Sequence, residues 1–378
     1  MASLLVDLNG AGVSPWLDNL KREMFASGEL VAMIEDKGIR GQTSNPSIFQ
    51  SAISKGQVYN DSILSLAKAG KDAEAIVWDL MVADVQKACD VFRPLFDSTN
   101  GGDGFVSLEL DPTLAHETAA SLTQAEKLVK LVDRPNLMIK VPATKEGLPV
   151  VTELIAQGVS VNVTLLFAVE RYAEVIDAWM TGLERRAAQG LPVSGIHSVA
   201  SFFISRVDTE ADKRMDAALK VAPEREGEFA PLRGKVAVAN ARIAYELFQQ
   251  KTADARWAKL QALGADVQRP LWASTSTKNP NYADTLYVDD LIGEHCVNTM
   301  PDDTIVAFVD HGHVKNTLNA DTIADAHRVL DAFAKAGFDL DDITNNTLMT
   351  EGVDKFAVAY TKLVDAVKVS REKLLAGK

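Results

Sequence analysis

Lys140 is the residue of this chain that most needs a chemical explanation. It lies in the run Asn136–Ala143, flanked by Ile139 and Val141, in a stretch whose composition predicts a buried strand. Lysine is almost never fully buried unless paired, and burial disfavours the charged ammonium. A neutral amine attacks carbonyls and forms a Schiff base, whose iminium then withdraws electrons from the adjacent carbon–carbon bond. The alternative is a structural lysine paired with a buried carboxylate such as Glu109.

Two further runs repeat the pattern of a polar residue on an otherwise apolar strand. In Gly104–Leu110, Ser107 and Glu109 alternate with Val106, Leu108 and Leu110; in Val159–Leu166, Asn162 and Thr164 alternate with Val161, Val163 and Leu165. A period of two places each polar set on a single face. Glu109 is then a general acid/base acting through water, and Asn162 with Thr164 orients that water or a substrate hydroxyl. The alternative for Asn162 and Thr164 is an internal hydrogen-bond network with every member satisfied. Asp18, at the end of a weak first strand, is either a second acid/base or the N-cap of a helix over Asn19–Phe25.

An anionic substrate needs donors, and Arg206 with Ser201 is the best pair, since a planar guanidinium binds phosphate bidentately. The two are five apart and fall on opposite faces of a strand unless the strand ends or bulges between them. A surface ion pair with Asp208 or Glu210 is the alternative for Arg206. The run Ser274-Thr275-Ser276-Thr277 offers hydroxyls with Lys278 just beyond, or is only a polar strand end.

The elements that would position these residues alternate regularly. Strands are predicted at Pro15–Asp18, Ile39–Ser44, Gly104–Leu110, Asn136–Ala143, Val159–Leu166, His197–Val207, Pro270–Thr277 and Cys296–Met300. Long helical patterns separate them. Ile76, Val77, Leu80, Met81, Val85, Cys89 and Phe92 form one apolar stripe, and Gly234–Gln250 and Val353–Leu374 read the same way. Asn45-Pro46 reads as an N-cap followed by proline at the first helical position. Eight β–α units predict an α/β chain folded as a closed (β/α)8 TIM barrel with additional helices. The polar strand faces then point into the barrel, near the strand ends where barrel enzymes place their chemistry. The expected organisation is one barrel domain over 1–378, with a helical insertion at about 208–268 and C-terminal helices at about 320–378.

Composition narrows the function. With Lys+Arg 39 against Asp+Glu 52, the formal net charge is −13, which argues against a general binder of nucleic acid or anionic membrane. Two cysteines, Cys89 and Cys296, are too few for a disulfide framework and lack metal-like spacing. No signal-like segment or membrane span is apparent, so a cytoplasmic chain is expected. Gly101-Gly102-Asp103-Gly104 matches no phosphate-binding fingerprint and reads as a turn into a strand. Asp310-His311-Gly312-His313 has no supporting ligand cluster and reads as a loop or helix start. No metal or nucleotide signature remains.

Thr43-Ser44-Asn45-Pro46-Ser47-Ile48-Phe49, Met138-Ile139-Lys140-Val141-Pro142-Ala143-Thr144 and Asn162-Val163-Thr164-Leu165-Leu166-Phe167 together resemble the signatures of the transaldolases. The resemblance spans nearly the whole chain, and Ser201–Asp208 and Trp272–Pro280 resemble the longer bacterial subfamily. It implies a cofactor-free Schiff-base enzyme of the non-oxidative pentose phosphate pathway. Such an enzyme moves a dihydroxyacetone unit from sedoheptulose 7-phosphate to glyceraldehyde 3-phosphate, giving erythrose 4-phosphate and fructose 6-phosphate. The resemblance makes Lys140 the Schiff-base residue and Asp18 the acceptor of the donor's hydroxyl proton. Glu109 and Thr164 would hold the proton-shuttling water, Asn45 and Asn162 would bind the dihydroxyacetone hydroxyls, Ser201 and Arg206 would hold phosphate, and Phe203 would shape the pocket. Shorter transaldolases carry a second phosphate-binding arginine on the seventh strand, where this chain has Ser274-Thr275-Ser276; Ser276 or Lys278 is expected to take over. A homodimer is implied at family level only. Related small aldolases that use fructose 6-phosphate lack the acid of Glu109, so Glu109 favours transfer over cleavage. The competing readings are a Schiff-base aldolase releasing free dihydroxyacetone and a catalytically silent sugar-phosphate-binding barrel.

Overall fold

The structure, a computed structural model, describes residues 3–55 and 57–377. Eight strands close into one barrel in chain order, each parallel to its neighbours. They are β1 (Val13–Asp18), β2 (Gly41–Thr43), β3 (Phe105–Glu109), β4 (Leu137–Pro142), β5 (Val161–Leu166), β6 (Ser198–Phe203), β7 (Gln268–Ala273) and β8 (Cys296–Met300). Every residue of β3, β4, β5, β6 and β8 is buried, as expected of strands covered by helices outside and side chains within.

Five helices frame the barrel mouth or brace the additions to it: α1 (Pro46–Lys55), α2 (Ala73–Ser98), α3 (Ser205–Leu219), α4 (Val236–Thr252) and α5 (Met349–Leu375). The Asn45 side chain caps α1 by accepting from the Ile48 amide at 3.0 Å. The predicted stripe of α2 is its buried face, from Ile76 to Phe92. Between β6 and β7 lie α3, Glu226–Phe229, α4 and Ala255–Ala262. α4 packs on the helices Val169–Ala188 and Ala320–Lys335, and Asn240 Nδ2 donates to the Phe167 carbonyl at 2.7 Å. α5 runs along α1 and α2 and touches β5.

Several strands are shorter than their sequence runs, each for a visible reason. β2 spans only three residues because Asn45 already caps the next helix; Gly41 also lets Trp16 close in, since a Cβ there would collide with the indole. β6 stops at Phe203 and the chain is helical from Ser205, well short of the predicted Val207. β7 begins at Gln268, earlier than predicted, and stops before Ser274, whose φ of 57° takes the backbone out of the ladder. β5 carries a bulge between Val163 and Leu166, with Leu165 at φ 60°, so the alternation seen in the sequence fails at its end. Thr99–Gly104 turns into β3 as expected: Gly104 has φ 84° and a Cβ there would meet Phe96 at 2.6 Å. Asp310-His311 closes the helix Asp302–His311 instead of opening one. Among the described residues, no helix is long and apolar enough to cross a membrane.

Candidate active site

Parallel register lines up the polar strand residues. Glu109 on β3 is paired with Lys140 on β4, and Lys140 with Asn162 on β5. All three side chains point inward, as the period of two predicts. Lys140 is 4% exposed. Its Nζ lies 3.5 Å from Glu109 Oε2 and donates to the Ser44 carbonyl at 3.2 Å. The carboxylate partner foreseen for a structural lysine is therefore present, but the contact is an ion pair at the limit of hydrogen-bond range, and Glu109 Oε2 has no hydrogen-bond partner. Burial pushes the Glu109 carboxyl up to about 7, against the opposing pull of Lys140.

Asp18 ends β1 and is not a helix cap: the next helix begins at Glu23. Its Oδ1 accepts from Thr43 Oγ1 at 2.7 Å, and Thr43 Oγ1 lies 2.6 Å from Thr299 Oγ1. Burial raises the Asp18 pKa, and the positive charges of Lys140 and Lys278 oppose that rise.

Asn162 donates from Nδ2 to Ser107 Oγ at 3.0 Å and accepts on Oδ1 from Ser201 Oγ at 2.7 Å. This chain of bonds runs from β3 through β5 to β6 and fixes the amide's orientation. Thr164 is different: its Oγ1 is buried without a partner. The network reading thus holds for Asn162 and fails for Thr164, which keeps a buried donor and acceptor unused.

Arg206 reaches the same site as Ser201 because β6 ends between them. The strand-to-helix switch places Arg206 in the first turn of α3, and the parity conflict disappears. Its expected surface partners are engaged elsewhere. Asp208 accepts from the Ala237 amide and the Tyr287 hydroxyl, and Glu210 pairs with Lys213 and Arg214. Arg206 Nη1 is buried without a partner, and the guanidinium lies 5.0 Å from the Phe203 ring centre and 5.8 Å from that of Phe356.

A cavity of about 90 Å³ brings part of the set together, while Glu109, Asn162 and Thr164 lie outside its wall. Asp18, Asn45, Lys140, Ser201, Phe203 and Arg206 line it together with Thr43, Ala273, Ser274, Thr299 and Phe356. Ser276 and Lys278 are not in its wall; Lys278 Nζ donates to Ser276 Oγ at 2.5 Å outside it. The left-handed Ser274 faces the cavity in their stead, bonded to Ser205 Oγ at 2.8 Å. Four wall residues, Thr43, Ala273, Thr299 and Phe356, had no role in the sequence reading, and two of them show why. Thr299 lies on β8 next to Asn298, so both strand faces carry a polar residue and parity selects neither. Phe356 belongs with Tyr360, Leu363 and Val367 on a helical stripe that looks like ordinary core. Among the described residues, no cluster of His, Cys, Asp and Glu could hold a metal ion.

A buried amine, the Asp18 carboxyl and a guanidinium without a bonded partner line one cavity at the C-terminal ends of barrel strands, and the Glu109 carboxyl, poised near neutrality, backs the amine from behind the wall. That arrangement suits imine chemistry on a carbonyl compound with an anionic end. Residues 15–367 match the family described as Transaldolase/Fructose-6-phosphate aldolase. The transaldolase of Acidothermus cellulolyticus is 48% identical over 373 residues, 99% of this chain and 98% of that protein. Those of Mycobacterium ulcerans and Mycobacterium tuberculosis are also 48% identical, covering 98% and 96% of this chain and the same shares of their own lengths. The architecture, the cavity and these relatives agree: the chain belongs to the transaldolase/fructose-6-phosphate aldolase family.

Proposed function

We propose that this chain is a transaldolase that carries a dihydroxyacetone unit on Lys140 from sedoheptulose 7-phosphate to glyceraldehyde 3-phosphate. The observation that carries the mechanism is the Lys140 amine, buried 3.5 Å from a carboxyl whose pKa is near 7. The amine adds to the ketose carbonyl, and loss of water gives the iminium. Glu109 supplies and removes the protons of that dehydration through a water held by the free Thr164 hydroxyl. Asp18 then takes the proton from the donor's C4 hydroxyl as the C3–C4 bond breaks, and the electron pair of that bond moves into the iminium. The aldose phosphate leaves. Asn45 and the oriented Asn162 hold the hydroxyls of the bound three-carbon fragment until the acceptor aldehyde arrives, and the steps run in reverse.

Arg206 and Ser274 hold the substrate phosphate, joined by Ser201 when its hydroxyl turns from Asn162, and Phe203 packs against the guanidinium. In this reading Lys278, steadied by Ser276, contributes positive charge from outside the wall, in place of a seventh-strand arginine. The family and the absence of a nucleotide signature in the sequence support a cofactor-free reaction in the cytoplasmic pentose phosphate pathway. Resemblance alone supports a homodimer, and neither nucleic acid nor membrane belongs to the scheme.

The test is a borohydride trap with fructose 6-phosphate, followed by peptide mass spectrometry. A reduced three-carbon adduct on Lys140, absent from Lys140→Met, is expected. An adduct on an exposed lysine such as Lys145, or none on folded protein, overturns the Schiff-base mechanism. A required acceptor aldehyde separates transfer from simple release of dihydroxyacetone.

A further inference from the structure

At about 90 Å³ the cavity is far below the several hundred Å³ of an ordinary small-molecule site. A phosphorylated ketose tethered at Lys140 and anchored at Arg206 has to span the distance from one to the other, and Phe356 borders both in the wall of the same cavity. Its ring centre is 5.9 Å from Lys140 Nζ and 5.8 Å from Arg206 Cζ, and the residue is 5% exposed. No barrel strand supplies this ring; it comes from α5, near the other end of the chain from β1.

The seating of α5 is specific. One turn before Phe356, Gly352 lets the helix approach the bulged end of β5: a Cβ there would lie 3.1 Å from Leu165 Cδ2 and 3.5 Å from Phe167 Cε2. The left-handed Leu165 and the small residue facing it hold α5 close to the barrel mouth, and so fix how far the ring projects. The result is an apolar wall beside two polar anchors.

We propose that Phe356 is a specificity-determining residue that gauges the carbon chain between the imine carbon and the phosphate. The inference rests on the proposed roles of Lys140 as imine residue and Arg206 as phosphate anchor. Both anchors are fixed, so a seven-carbon donor must bow further than a six-carbon donor, and the ring limits that bow. Phe356→Ala and Phe356→Leu test it, with donor kcat/KM measured for sedoheptulose 7-phosphate and fructose 6-phosphate. In Phe356→Ala the ratio of the seven-carbon to the six-carbon donor should rise about tenfold, the low end of what one carbon of substrate length is worth in a pocket. Phe356→Leu should give a smaller rise, and borohydride trapping with dihydroxyacetone should persist in both variants. A ratio unchanged within about twofold in folded protein overturns the gauge. Should the alanine variant not fold, the leucine variant decides by the same ratio. Wild-type protein separates failure of the mechanism from failure of the gauge. If it gives no Lys140 adduct, both fall; if it traps and transfers while the variants leave the ratio fixed, only the gauge falls.

Discussion

A carboxyl near 7 facing an amine is suited to passing protons in both directions at neutral pH, since catalytic efficiency is greatest when the pKa lies close to the working pH. Glu109 is raised from the 4.5 of a free glutamate because it is desolvated, and Lys140 offsets only part of that penalty. Its ionisation should appear as an inflection near pH 7 in kcat/KM for the donor. Glu109→Gln should abolish that inflection and lower kcat on the order of 100-fold or more. An unchanged profile would assign the ionisation elsewhere. Asp208 also stands at about 7, but its carboxylate is bonded to the Ala237 amide and the Tyr287 hydroxyl. The sign for stability follows from linkage. Between pH 4.5 and 7 the folded state keeps the Glu109 proton that the unfolded chain releases, so this carboxyl makes the fold less stable as pH rises through that window. Lys140, Glu109 and Asn162 were legible in the sequence because a polar residue on a buried strand has few explanations. Phe356 was not, because a phenylalanine on an amphipathic helix has the most ordinary one.

At the level of elements, the site depends on where strands stop. Alternation along β6 carries Ser201 inward but would turn Arg206 outward; the switch to α3 returns it to the cavity with its Nη1 unpaired. Arg206→Ala should therefore raise KM for phosphorylated donors by tenfold or more, in keeping with about 1.5–3 kcal/mol for a hydrogen bond to a charged group. Trapping with dihydroxyacetone, which has no phosphate, should change little, and equal effects on both would remove the phosphate role. Periodicity reads the middle of an element and is blind to its ends. The Ser274–Lys278 run shows this most clearly. Taken as strand, it points to Ser276 or Lys278; the left-handed turn at Ser274 puts that residue in the wall and the other two outside it. Nothing in a single sequence marks Ser274 or Leu165 for positive φ, since neither is a glycine.

The barrel as a whole was the most legible feature, because eight alternating units leave few ways to bury a parallel sheet. Whether the added helices form part of the same unit is a separate question, and we propose that they do. α5 is tied to α2 and the segment just before it, across most of the chain: Trp78 Nε1 donates to Tyr360 Oη at 2.9 Å, Tyr360 Oη donates to Glu74 Oε1 at 3.1 Å, and Arg371 Nε donates to the Lys71 carbonyl at 2.9 Å. α4, within the 208–268 segment, covers the helices Val169–Ala188 and Ala320–Lys335 and is bonded to the loop after β5. Neither addition could detach without exposing apolar faces shared with the barrel, at roughly 25 cal/mol for each Å² uncovered. Differential scanning calorimetry should therefore show one cooperative transition, with calorimetric and van't Hoff enthalpies in agreement. Two resolved transitions would make the insertion or the C-terminal helices an independent unit. An early loss of α5 would moreover remove Phe356 from the cavity before the barrel melts, so the midpoint for loss of donor selectivity should coincide with that of global unfolding.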